Sequence, residues 1–143
     1  MAEKRLLLTG FEPFGDWKIN PSFEAVKAFE DATFGDEIRV IVEEIPVKFR
    51  QIGPRIKELI SNLTPKMILH VGQSNRASIS VERVALNVAN VLKRSYNCGA
   101  KPTDEELVPD APAAYFATIP ARKLVEHLIS RKIPAEVSYH AGT

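Results

Sequence analysis

Apolar runs of strand length alternate with segments of helical period along this chain, and no other feature limits its fold as strongly. Such alternation marks βαβ units and a mainly parallel sheet. Residues 5–9 read as a first strand, centred on Leu6, Leu7 and Leu8. Asn20 before Pro21 reads as an N-cap with proline at the first helical position, so a helix is expected over 21–31. Ile38, Val40 and Val42 alternate within a second strand, 37–47. Ile52, Ile56, Leu59, Ile60 and Leu63 recur at helical spacing over 49–63, with Pro54 in the first turn or bending it. A short, fully apolar strand over 67–71 ends at Gly72. Residues 78–91 are expected to be strand-like, antiparallel or irregular. Residues 93–113 are irregular, and so long a loop in a compact domain is usually functional or an assembly surface. A short strand over 114–119, a helix over 120–132 and a last strand over 133–139 follow. His140-Ala141-Gly142-Thr143 opens a turn of the kind that normally leads into a helix.

Size and charge narrow the classes further. At 143 residues the chain reads as one domain, 1–143, with enough length for a real core. A net charge of +1 with interspersed acids and bases provides no basic footprint for nucleic acid or a membrane surface. No apolar run reaches spanning length, and the start lacks a secretory signal. One cysteine cannot form an internal disulfide, so the expected compartment is the cytoplasm.

The chemistry begins where the first strand ends. Leu8-Thr9-Gly10-Phe11-Glu12-Pro13-Phe14-Gly15 places two phenylalanines three apart in a turn stiffened by proline. Such a turn presents its aromatics as walls of a small apolar pocket at a strand's carboxyl end, where open α/β sheets bind ligands. Gly10 and Gly15 fit neither the dinucleotide fingerprint nor the P-loop, and two bulky rings would crowd a phosphate.

Few residues could do catalysis. His70, His127 and His140 lack paired ligands at short spacing, so no metal or other cofactor is expected. His70 reads as a hydrogen-bonded core histidine, His127 as a solvated helix residue, and His140 as a turn residue at a strand end. Cys98, in Tyr96-Asn97-Cys98-Gly99, has no local group to make it a thiolate and reads as an incidental thiol. Glu82 lies among apolar neighbours in Ser80-Val81-Glu82-Arg83-Val84-Ala85-Leu86-Asn87. Two readings stand for it: a partly buried functional carboxylate, or a surface pair with Arg83.

In order along the chain, these blocks resemble the pyroglutamyl peptidase type I family, the pyrrolidone-carboxylate peptidases. The resemblance rests on Thr9 to Gly15, Asn20-Pro21, Pro46-Val47, His70-Val71-Gly72-Gln73 and Glu82 to Asn87. It continues through Val108-Pro109, Ala113 to Thr118 and Ser138 to Thr143. It implies a three-layer α/β/α sandwich with a mainly parallel twisted sheet, and a cytoplasmic cysteine peptidase that removes N-terminal pyroglutamate from peptides. It further implies a Cys–His pair oriented by an acid, with Glu82 at the acid's position. By the same resemblance Phe11 and Phe14 sandwich the pyrrolidone ring, and Asn20 and Gln73 hydrogen-bond the lactam or steady the turn. Homo-oligomers, dimers or tetramers, are expected.

The chain also departs from the family pattern. There the nucleophilic cysteine follows the Ala-Gly turn and the histidine lies further on; neither position is present, and Cys98 is no substitute. Residues 73–81 are one residue short and 87–99 slightly long, and Arg94 is not assigned an oxyanion role. The expectation is a truncated domain lacking its C-terminal part and inactive by the family mechanism. The alternatives are a non-catalytic relative serving as a binding or assembly module, and an unrelated ligand-binding α/β domain.

Overall fold

The computed structural model describes residues 3–91 and 96–140. The Ala141-Gly142-Thr143 turn and Arg94 lie outside the described residues. The chain divides into two compact units, Met1–Gln73 with Ser95–Ala100 and Ser74–Arg94 with Lys101–Thr143.

The first unit is a four-stranded sheet in the order β2-β3-β1-β4. Its strands are β1 (Lys4–Phe11), β2 (Thr33–Phe34), β3 (Ile38–Ile45) and β4 (Met67–His70). β1 runs parallel to β3, Lys4 opposite Ile38 through Phe11 opposite Ile45, and parallel to β4, Leu6 opposite Met67. β2 is antiparallel to β3. Side chains alternate between faces along a strand. Leu8, Val40 and Val42 accordingly meet Val26 and Phe23 of α1 (Pro21–Lys27). Leu7 and Ile45 meet Ile52, Ile56, Leu59 and Leu63 of α2 (Phe49–Leu63). The two helices thus cover opposite faces, and this unit is the three-layer α/β/α arrangement.

Sequence and structure differ here in several places: β1 runs on to Phe11 beyond the expected 5–9, and β3 ends at Ile45, short of the expected 47. α1 stops at Lys27, four residues before the expected end, and the chain turns through Asp31 at φ 58°. β2 was not anticipated, since two residues carry no readable period. The strand over 67–71 is apolar in sequence but not buried throughout: Met67 and Leu69 are exposed.

In the second unit β5 (Ile79–Glu82) pairs parallel with β8 (Ala135–Ser138). β6 (Val84–Leu86) pairs antiparallel with β7 (Ala114–Phe116). Residues 78–91 were expected to be antiparallel or irregular. β6 is antiparallel, whereas β5 is parallel because its partner arrives from more than fifty residues downstream. α3 (Ala121–Ser130) lies on β8 and β5, burying Ala121 and Val125. No helix among the described residues is long and apolar enough to cross a membrane.

Candidate active site

Gly10 lets the aromatic turn form. A Cβ there would stand 2.4 Å from the Phe23 Cα and 2.6 Å from its backbone nitrogen, so only glycine allows α1 to start against β1. The turn that follows is held by hydrogen bonds from several elements. The Phe11 N–H donates to Ser22 Oγ (2.9 Å) and the Glu12 N–H to the Ile45 carbonyl (3.0 Å). Asn20 Nδ2 donates to the Glu12 carbonyl (3.0 Å), and Asn97 Nδ2 to the Pro13 carbonyl (2.9 Å). Gly15 takes φ 61°, a left-handed conformation that closes the turn.

The expected pocket residues of this unit occupy distinct settings. Phe11 is half-buried against the cluster of Leu7, Ile45 and Leu59. Phe14 is half-buried. A Cβ on Gly72 would lie 3.7 Å from Phe11 Cε2, so the chain leaving β4 runs beside that ring. Gln73 follows directly and is exposed. Phe11, Gly72 and Gln73 therefore stand at the carboxyl ends of adjacent parallel strands. Asn20 is 3% exposed. Its Oδ1 accepts from the Ser22 N–H (3.0 Å) and Ser22 Oγ (2.8 Å), the N-cap expected for α1. With Nδ2 bonded to Glu12, these contacts steady the turn.

Glu12 escaped the sequence reading. Its Oε1 accepts from the Val47 N–H (2.9 Å) and from Asn97 Nδ2 (3.1 Å). One carboxylate thus ties the turn to the residues before α2 and to the 96–99 turn. A lone acid between two phenylalanines was the only local signal. Asn97 offered none, because its partners lie more than eighty positions away.

His70 Nδ1 is 2.7 Å from Thr9 Oγ1 at the β1–β4 pairing. The hydrogen bond agrees with the expected histidine, but the residue is exposed rather than in the core. Packing around the ring still disfavours the imidazolium and lowers the His70 pKa from its ordinary value. Backbone N–H groups of Ala100 and Phe49, opposed by some desolvation and aided by the Lys48 charge, lower the Cys98 thiol pKa.

Glu82 belongs to the second unit, at the end of β5, where Ser138 pairs with it. The pair with Arg83 does not form: Arg83 donates to the Ala117 carbonyl (2.7 Å) and lies over the Phe116 ring (4.8 Å). The partner is Arg76 instead, with Nη1 3.5 Å from Glu82 Oε1. Arg76 Nη1 also donates to Ser80 Oγ (2.9 Å) and Ser138 Oγ (2.8 Å), and Nη2 to the His140 carbonyl (2.6 Å). Glu82 Oε2 is buried and accepts no hydrogen bond among the described residues. Arg76 was not singled out from the sequence, although Ser80 and Glu82 lie only a few positions on; its partners Ser138 and His140 are more than sixty positions away.

The fold is shared with solved peptidases. The pyroglutamyl peptidase I of Bacillus amyloliquefaciens superposes with a TM-score of 0.91 at 40% identity, over 99% of this chain and 67% of that one. The pyrrolidone carboxyl peptidase of Thermococcus litoralis gives 0.91 at 35% identity, over 98% and 63%. The pyrrolidone-carboxylate peptidase of Cupriavidus taiwanensis is 45% identical over 139 residues, 96% of this chain and 63% of that protein. The family model described as pyroglutamyl peptidase matches residues 4–143, and the chain belongs to that family. It spans less than two thirds of the length of the curated relatives it matches.

Proposed function

We propose that this chain forms the pyroglutamate-recognising part of a peptidase that releases N-terminal pyroglutamate from peptides. The observation that carries the reading is the aromatic turn at the carboxyl ends of β1 and β4, with Gly72 against Phe11. Phe11 and Phe14 are the walls for a flat lactam, Gln73 offers an exposed amide for its N–H or carbonyl, and Asn20 keeps the turn in place. The family match runs unbroken over residues 4–143, which supports reading both units as one domain.

Glu82 is the acid of the Cys–His–acid mechanism that the resemblance implies. A thiolate attacks the amide carbonyl, an imidazole takes and returns the proton, and a carboxylate orients that imidazole. Glu82 Oε2, buried with no donor among the described residues, supports the role because it is an open acceptor for an imidazole N–H. Cys98 and the three histidines occupy none of the family's nucleophile or base positions. We therefore infer that these 143 residues alone turn over no pyroglutamyl substrate. A fluorogenic pyroglutamyl amide tests this, and release above blank would refute it.

Recognition is tested separately by isotope-filtered NOE spectra with L-pyroglutamate. Contacts to the Phe11 and Phe14 rings are expected; contacts elsewhere would sink the pocket. The apolar side chains left outside in the second unit, Phe116 at 70% and Tyr115 at 60% exposure, support self-association as a dimer or tetramer. Sedimentation velocity showing a monomer at all concentrations would speak against that.

A further inference from the structure

We propose that Asn97 is the positioning residue that sets the angle between Phe11 and Phe14, with Glu12 as its anchor. The inference rests on the pocket proposed above and names what shapes it. Between the two phenylalanines lie only Glu12 and Pro13. Residues 11 and 12 are fixed from β3 and the start of α1: the Phe11 N–H by Ser22, the Glu12 N–H by Ile45, and the Glu12 carbonyl by Asn20. The pyrrolidine ring fixes φ of Pro13. What remains is ψ of Pro13, which decides where Phe14 goes. The carbonyl that turns with this angle accepts from Asn97 Nδ2 at 2.9 Å.

The same Nδ2 also donates to Glu12 Oε1 at 3.1 Å, so both of its hydrogens are used within the span. Asn97 is itself held. Its N–H donates to the Val47 carbonyl (2.8 Å), and the Tyr96 ring stands 5.4 Å from the Phe49 ring. The Gly99 N–H closes the turn onto the Tyr96 carbonyl, with Gly99 at φ 79°. Glu12 Oε1 accepts the Val47 N–H as well, so one carboxylate and one amide lock the two turns together. A flat ring between two aromatic faces is sensitive to their spacing, because dispersion contacts weaken steeply over a fraction of an ångström. Losing Asn97 would therefore weaken lactam binding without removing any group that touches the lactam.

The test is a saturation-transfer NMR titration of L-pyroglutamamide against the 143-residue chain. Asn97→Asp turns a carboxylate toward Glu12 and the Pro13 carbonyl, and is expected to weaken binding by about fivefold or more in a protein that stays folded. Adding Glu12→Gln removes one of the two facing carboxylates but leaves the Pro13 carbonyl without its donor, so stability is expected to recover while binding stays weak. A general loss of stability would not separate the two. If Asn97→Asp does not fold, Asn97→Ser, which lacks the amide but brings no charge, is expected to weaken binding by about threefold. Equal affinity in wild type and a folded Asn97 variant, or binding that recovers in step with stability in the double variant, would overturn the role of Asn97 while leaving the pocket intact. A wild type that binds no L-pyroglutamamide would remove the pocket and this inference together.

Discussion

Gly10 shows how one missing side chain sets the geometry of a site. Gly10→Ala would force backbone against backbone at Phe23, and flexible side chains cannot absorb that. Its expected cost is about 1–3 kcal/mol, read as a lower urea midpoint with unchanged slope. Cys98 makes a kinetic prediction. Its thiolate forms at lower pH than an ordinary thiol's, so iodoacetamide labelling should rise at correspondingly lower pH, and Lys48→Gln should move the profile upward. A profile at the ordinary thiol position would contradict this. His70 has the opposite kind of consequence. Its folded pKa lies below the ordinary 6.5, so as pH falls the unfolded chain takes up the proton first. Stability should therefore decline as pH drops below about 6.5 and level off beneath the folded pKa. His70→Asn, which keeps an acceptor for Thr9 Oγ1, should lose this part of the decline in thermal melts run from neutral to acidic pH.

Helix α2 is where sequence and structure agree most closely. Its period of Ile52, Ile56, Leu59 and Leu63 is the face that meets Leu7 and Ile45, and both ends fall where the pattern predicts. Leu59→Ala should cost about 2–4 kcal/mol by opening a void beneath the sheet, measurable by urea unfolding. A value under 1 kcal/mol would mean the face closes over the gap. Local pattern was enough for α2 because its residues share one surface. It failed for β5, whose period says nothing of a partner at Ala135–Ser138. It failed for α1 as well, since Phe29 continues an apolar pattern that the backbone abandons after Lys27. At the site, the turn and its N-cap Asn20 could be read, because each lies in a compact block. Glu12 and Asn97 could not be read, since their meaning lies in partners far along the chain.

Within each unit, burial is uneven. Leu7, Thr9, Val40 and Ile45 are fully enclosed, while β6 and β7 carry exposed Leu86, Tyr115 and Phe116. Amide hydrogen exchange should therefore be slowest along β1 and β3 and fast along β7. Equal protection across these strands would contradict the uneven core. The position of β1 matters for a nascent chain too. It is made before both of its neighbours in the finished sheet, β3 and β4, and the pair is complete only once Met67–His70 has emerged. During synthesis the strand with most to bury must wait for both, and holdase chaperones have that interval in which to bind it.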